Sequence, residues 1–271
     1  MTVQDVGRCA APGCNYEATA LVDLVPVCVQ HMVKEDRKMT ISRGPGRPKR
    51  GYRTKDGTKV PSVTDILRRY KESQGLLWWA WGQGKKGNPL NQKRDAAADM
   101  GKLIHSCIEE HICGDRDGWG SVVEEASHDV RPHLIKAVEA FLAWEEERSP
   151  VYVAIEWPFV SEEYSYGGTF DLVCEVEGEL GVVDWKTSKA HYPEMVIQAG
   201  GYRQLYRENT KSGRDLVWAE VVLLPRGDNG IETFVPWRIE GENFDQCEAQ
   251  FKALRECYRT DKEISAWFEA R

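Results

Sequence analysis

The chain has 271 residues, 41% of them hydrophobic and 29% charged, which is enough for one sizeable core plus a small appendage. No run approaches the roughly 18 apolar residues a membrane span needs, and the polar stretch Met1–Gly7 lacks the apolar centre of a secretory signal, so an intracellular protein with no membrane partner is expected. In that reducing setting the eight cysteines are expected as thiols or metal ligands, and the formal charge of −7 is uneven: residues Lys34 to Lys59 carry ten Lys and Arg against three acids, a local +7 that leaves −14 elsewhere.

Residues 1–33 present Cys9, Cys14, Cys28 and His31, two ligand pairs separated by 13 residues, which is the donor set of a closed tetrahedral zinc site. So short a segment has almost no core, and a structural Zn²⁺ would supply most of its folding free energy. Residues 34–59 are expected as a basic linker in which Gly44, Pro45, Gly46 and Pro48 leave no regular element. The folded body, residues 60–271, begins where Ser62 and Asp65 form a variant capping box ahead of Ile66, Leu67 and Tyr70.

Apolar residues at spacings of three and four predict helices over Ala96–Ile112 and Pro132–Glu147. Strands follow at Val151–Val160, Tyr166–Val176 and Leu180–Thr187, then a helix near Glu194–Lys211. Two more strands, Leu216–Leu224 and Glu232–Ile239, precede helices near 241–258 and 261–269. This order predicts an α/β (α+β) fold, a mixed sheet flanked by helices.

The strands around Glu177-Gly178 carry the chemistry. If that pair makes a tight turn, Val176 faces Glu179 and the register brings Asp171 opposite Asp184, with Cβ atoms about 4.5–5.5 Å apart. Alternation puts Lys186 on the Asp184 face and Trp185 on the other. Two facing carboxylates repel, and Mg²⁺, a hard cation with oxygen ligands, would neutralise them while leaving room for a phosphate and a water. Lys186 would orient that water and offset charge in the transition state.

Gly167-Gly168-Thr169-Phe170-Asp171, then Val182-Val183-Asp184-Trp185-Lys186-Thr187, then Gln198-Ala199-Gly200-Gly201-Tyr202 follow one another within about 35 residues. Together they resemble the consecutive motifs of RecB-type exonucleases in the PD-(D/E)xK superfamily. The resemblance implies a restriction-endonuclease-like core in which Asp171 and Asp184 bind Mg²⁺ or Mn²⁺, helped by the main-chain carbonyl of Trp185. It also implies that Lys186 serves the nucleophilic water and that Gln198 and Tyr202, four apart on one helix face, lie beside the site. A histidine upstream of the sheet is a further metal ligand in that branch. Here it is expected at His105, with His111 the competitor, and an imidazole ligand favours Mn²⁺ somewhat. Glu156, one strand before Asp171, is expected in a supporting role, as a possible ligand.

Some members of the branch hold an iron–sulfur cluster on four cysteines. Cys107, Cys113, Cys174, Cys247 and Cys257 lack the closely spaced C-terminal trio, so no cluster is expected and they are read as packing residues. Arg43-Gly-Pro-Gly-Arg47-Pro48-Lys49-Arg50 resembles an AT-hook, so Arg43, Arg47, Lys49 and Arg50 are expected to bind DNA. The resemblances imply a metal-dependent DNA exonuclease acting on ends or single strands in recombination, repair or replication. It would work in the cytoplasm, the host's if phage-encoded, since such chains are common in bacteriophage genomes. A structure- or sequence-specific endonuclease on the same core stays open. A non-catalytic DNA-binding regulator is the reading from another class, against which the intact Asp171, Asp184 and Lys186 stand.

Overall fold

At the Glu177-Gly178 turn both residues take positive φ, 55° and 83°, the backbone of a two-residue hairpin turn matched to strand twist. The computed structural model describes residues 20–22, 25–27, 41–70, 74–87, 90–114, 118–210 and 213–270. Cys9, Cys14, Cys28 and His31 lie outside the described residues. Of that stretch, β1 (Ala20–Val22) and β2 (Val25–Val27) are described, as an antiparallel pair.

The main sheet has six strands in the order β3-β4-β5-β6-β7-β8. These are β3 (Ser42–Arg43), β4 (Val151–Ser161), β5 (Tyr166–Val176), β6 (Glu179–Lys186), β7 (Trp218–Leu223) and β8 (Val235–Glu240). The β3–β4 and β6–β7 pairs are parallel and the others antiparallel, so the mixed sheet expected from the element order is observed.

Helices cover both faces. On one side α3 (Leu90–Cys113), α4 (Trp119–Glu125) and α5 (Arg131–Arg148) bury Ile104, Ile108, Phe141 and Trp144 against Leu172, Val183 and Trp185. On the other, α1 (Val63–Tyr70), α6 (Pro193–Asn209) and α7 (Gly241–Glu269) bury Ile66, Leu205 and Phe251 against Phe170, Val182 and Val221. The α1 capping box forms in full: Asp65 N–H donates to Ser62 Oγ at 3.0 Å, and Ser62 N–H donates to Asp65 Oδ2 at 3.1 Å. Helix α6 starts on Pro193, whose missing N–H costs nothing in a first turn. Gly200 lets α7 close on α6, since a Cβ there would stand 2.5 Å from the Cys247 carbonyl carbon.

Two expectations are corrected, and one helix was not foreseen. The segment read as an unstructured linker carries β3, which lies beside β4. Here the edge of a sheet, rather than local propensity, orders a Gly- and Pro-rich stretch. The two C-terminal helices are one, α7, because Thr260 bonds back to the Glu256 and Cys257 carbonyls and Arg259 pairs with Glu256 and Glu263 across the joint. Helix α2 (Gln74–Lys85) had no legible period, since its glycines and unbroken apolar run conceal any stripe. Of the cysteines read as packing residues, Cys107 and Cys174 are buried, Cys113 and Cys247 half-buried, and Cys257 is exposed at the surface of α7.

Candidate active site

Strands β5 and β6 pair from Val176↔Glu179 to Leu172↔Val183, a constant register that places Asp171 opposite Asp184 as the turn geometry demands. The ladder stops there. Beyond it the Trp185 N–H donates to Asp171 Oδ2 at 2.9 Å, so a side chain replaces the missing strand partner. The Trp185 carbonyl lies 3.3 Å from His105 Nε2. The Trp185 indole turns to the other face, 4.9 Å from the Trp144 ring and 5.5 Å from Phe141.

Glu156 of β4 faces Asp171, bracketed by Ile155↔Leu172 and Trp157↔Phe170. Its φ is +52°, a left-handed backbone that a non-glycine residue adopts at a cost of about 1–3 kcal/mol. The pleat breaks at this facing pair. Ile155 and Leu172 pack toward α3 and α5, whereas Phe170, two residues from Leu172, packs on Tyr202 of α6 at 5.0 Å. Regular alternation would keep Phe170 and Leu172 on one face.

The break aims both carboxylates at His105 on α3. His105 Nδ1 is 3.9 Å from Glu156 Oε1 and 3.8 Å from Asp171 Oδ1, and one donor atom from each of the three lies within 4.8 Å of the others. Burial works against charge on His105, but Asp171 and Glu156 outweigh it and raise its pKa to about 9. A proton is therefore stabilised where a cation would sit.

Asp184, 2% exposed, stands outside that trio. Its Oδ1 accepts from Gln198 Nε2 at 3.2 Å, and Gln198 Nε2 also donates to Tyr202 Oη at 2.6 Å. The Lys186 ammonium pairs with Asp184 Oδ2. Burial, opposed by Lys186 and reinforced by Asp171, raises the Asp184 pKa to about 6. Burial disfavours the Lys186 charge, but Asp184 and Asp171 more than offset this and raise its pKa. Two half-buried carboxylates, an imidazole and a nearby main-chain carbonyl form a donor set that fits Mg²⁺ or Mn²⁺.

With this geometry in view, the model of the PD-(D/E)XK nuclease superfamily matches residues 76–270. The chain belongs to that superfamily. Members of this nuclease superfamily use divalent metals and act on DNA, in keeping with the donor set above. No curated protein matches the chain. Among solved structures it is similar to an alkaline exonuclease (LHK-Exo) from Laribacter hongkongensis, at 15% identity over 54% of this chain and 75% of that one, TM-score 0.35. It is also similar to LHK-Exo in complex with dAMP, at 12% identity over 61% and 88%, TM-score 0.35. No described helix of this superfamily member is long and apolar enough to cross a membrane.

The structure brings His105, Asp171, Asp184, Trp185, Lys186, Gln198 and Tyr202 into one neighbourhood. Glu156, expected only in support, is one of the clustered trio. Its weight was not legible because β4 and β5 are joined by residues 162–165 with no turn signature from which to count register. His111 is not in the cluster: it is buried, with Nε2 3.0 Å from Glu145 Oε2 and its ring on Phe141. Gln198 and Tyr202 are buried beside the site, with Gln198 bonded to Asp184 and to Tyr202. Arg43, expected on DNA, is exposed and pairs with Glu109 at 2.8 Å and Glu110 at 2.6 Å on α3. Arg47, Lys49 and Arg50 are exposed.

Proposed function

We propose that this superfamily member is a Mg²⁺- or Mn²⁺-dependent DNA exonuclease of the RecB type, serving recombination, repair or replication inside the cell. The observation that carries the metal dependence is the convergence of His105, Glu156 and Asp171 beside the Asp184–Lys186 pair. The order Asp171, Asp184-x-Lys186, Gln198-x-x-x-Tyr202, resembling that of RecB-type exonucleases, favours the exonuclease reading.

His105, Glu156, Asp171 and the Trp185 carbonyl would hold the cation, with Asp184 within its field. When bound, the cation supplies Lewis-acid stabilisation of the scissile phosphate and a lowered pKa for water. Lys186 orients the attacking water and offsets charge building on the phosphate. Gln198 fixes the Asp184 carboxylate, and Tyr202 fixes Gln198. Arg47, Lys49 and Arg50 would draw the DNA backbone. A structural Zn²⁺ on Cys9, Cys14, Cys28 and His31 belongs to the same reading.

Digestion of end-labelled linear and closed circular DNA, with Mg²⁺, with Mn²⁺ and with chelator, tests the proposal. Loss of linear substrate alone supports an exonuclease; cutting of the circle assigns an endonuclease. Retention without cleavage in either metal assigns a binding protein. If Asp184→Ala and Lys186→Ala leave cleavage unchanged, the catalytic assignment is wrong.

A further inference from the structure

The Gly-Pro-Gly stretch that resembles a DNA hook lies along the strand of Glu156. Ser42 and Arg43 run parallel to Ala154 and Ile155, and the Trp157 indole N–H donates to the Ser42 carbonyl at 2.8 Å. The next donors land on the break in the pleat: Gly44 N–H on the Ile155 carbonyl at 2.8 Å and Gly46 N–H on the Glu156 carbonyl at 3.1 Å. Gly44 is buried so closely against this peptide that a Cβ would fall on the Glu156 carbonyl. From the same strap Arg43 reaches Glu109 and Glu110 on α3, and Glu109 stands one turn after His105.

We propose that the Ser42–Gly46 strap positions the metal site, pinning Glu156 in its left-handed conformation and tying the helix of His105 to the strand of Glu156. Arg43 and Gly44 are its positioning residues. A left-handed glutamate persists where surrounding structure over-determines it, and here two main-chain N–H groups from one short segment grip the carbonyls before and at the distorted residue. Donors on a strand and on a helix can drift apart, since no ladder joins those elements. The Arg43 bridge closes that gap, in the way outer partners of metal ligands fix their geometry. The inference rests on the reading of His105, Glu156 and Asp171 as metal ligands.

Mn²⁺ affinity by calorimetry on the full chain, with the metal-free thermal midpoint measured in parallel, tests both. The wild type binds Mn²⁺ and Glu156→Gln weakens binding; if either fails, the ligand reading falls and takes the strap proposal with it. Given those two results, Gly44→Ala weakens Mn²⁺ binding by about tenfold or more and broadens the Mn²⁺ paramagnetic resonance spectrum. Arg43→Gln, a surface change that should still fold, weakens it a few-fold. Gly120→Ala provides the control, because Gly120, like Gly44, has no positive φ but a Cβ there meets open space, and it leaves affinity at the wild-type value. If Gly44→Ala and Arg43→Gln both bind Mn²⁺ within twofold of wild type while Glu156→Gln does not, the strap has no positioning role. Should Gly44→Ala fail to fold, Arg43→Gln alone decides.

Discussion

Asp171 accepts the Trp185 main-chain N–H at 2.9 Å, spending one carboxylate oxygen on the fork between β5 and β6 and leaving Oδ1 facing His105. Asp171→Asn keeps an acceptor for that N–H but loses the anion. The variant is expected to fold with a thermal midpoint near wild type while kcat falls by about 10²–10³ or more. Circular dichroism beside a nuclease assay checks the pair of outcomes.

Glu156 pays for function with backbone strain. Glu156→Gly removes the left-handed penalty and adds back some unfolded-chain entropy, a net gain of about 1 kcal/mol in the metal-free protein. The midpoint in chelator is expected to rise by about 2–4 °C. Affinity for Mn²⁺ is expected to drop at the same time, a divergence that differential scanning calorimetry with and without metal reveals.

The site's titration links pH to stability with a definite sign. Folded His105 has its pKa raised to about 9, against about 6.5 in an unfolded chain, so its contribution is complete below pH 6.5 and is lost as pH rises toward 9. Asp184, raised to about 6, contributes below its ordinary value of 3.8 and loses that contribution as pH climbs through 6. The metal-free protein is therefore expected to lose stability from pH 6.5 to 9. Mg²⁺ must displace the His105 proton, so the stabilisation it confers grows over the same window. Midpoints in chelator and in Mg²⁺ at successive pH values check this, and His105→Gln should flatten both trends.

Lys186→Met separates chemistry from metal binding. The ammonium touches Asp184 and is not itself a metal donor, so cleavage is expected to fall by about 10²-fold or more with KM little changed. Gln198→Ala frees one Asp184 oxygen and should give a smaller loss. Steady-state kinetics on a labelled linear duplex distinguish the two.

Two neighbouring tryptophans should answer the same substitution differently. Trp144 Nε1 donates to buried Glu220 at 2.7 Å, and Trp144→Phe leaves that carboxylate to Arg148, at a cost of about 2 kcal/mol. The Trp185 indole N–H has no partner among the described residues, so Trp185→Phe loses volume but relieves a buried donor and should cost about 1 kcal/mol less. Urea unfolding of both variants measures the difference.

The sequence by itself determined the hairpin and where its charged residues fall. A tight turn at Glu177-Gly178 sets a register by counting, and alternation then fixes which face Asp184, Trp185 and Lys186 take, so local rules carried Asp171 to its place opposite Asp184. Spacing along one helix likewise sufficed to pair Gln198 with Tyr202. Tertiary structure alone decided the rest of the site. The rank of Glu156 depends on a register set through an untyped connection and on a break in the pleat that no periodicity announces. The choice of His105 over His111 depends on how α3 rotates against the sheet: His111 packs on Phe141 beside Glu145, while His105 meets Asp171 and Glu156. The basic Gly-Pro-Gly run carried no local preference for any element, and it took the edge of β4, whose Ile155 and Glu156 carbonyls accept the Gly44 and Gly46 N–H groups, to turn it into a strap.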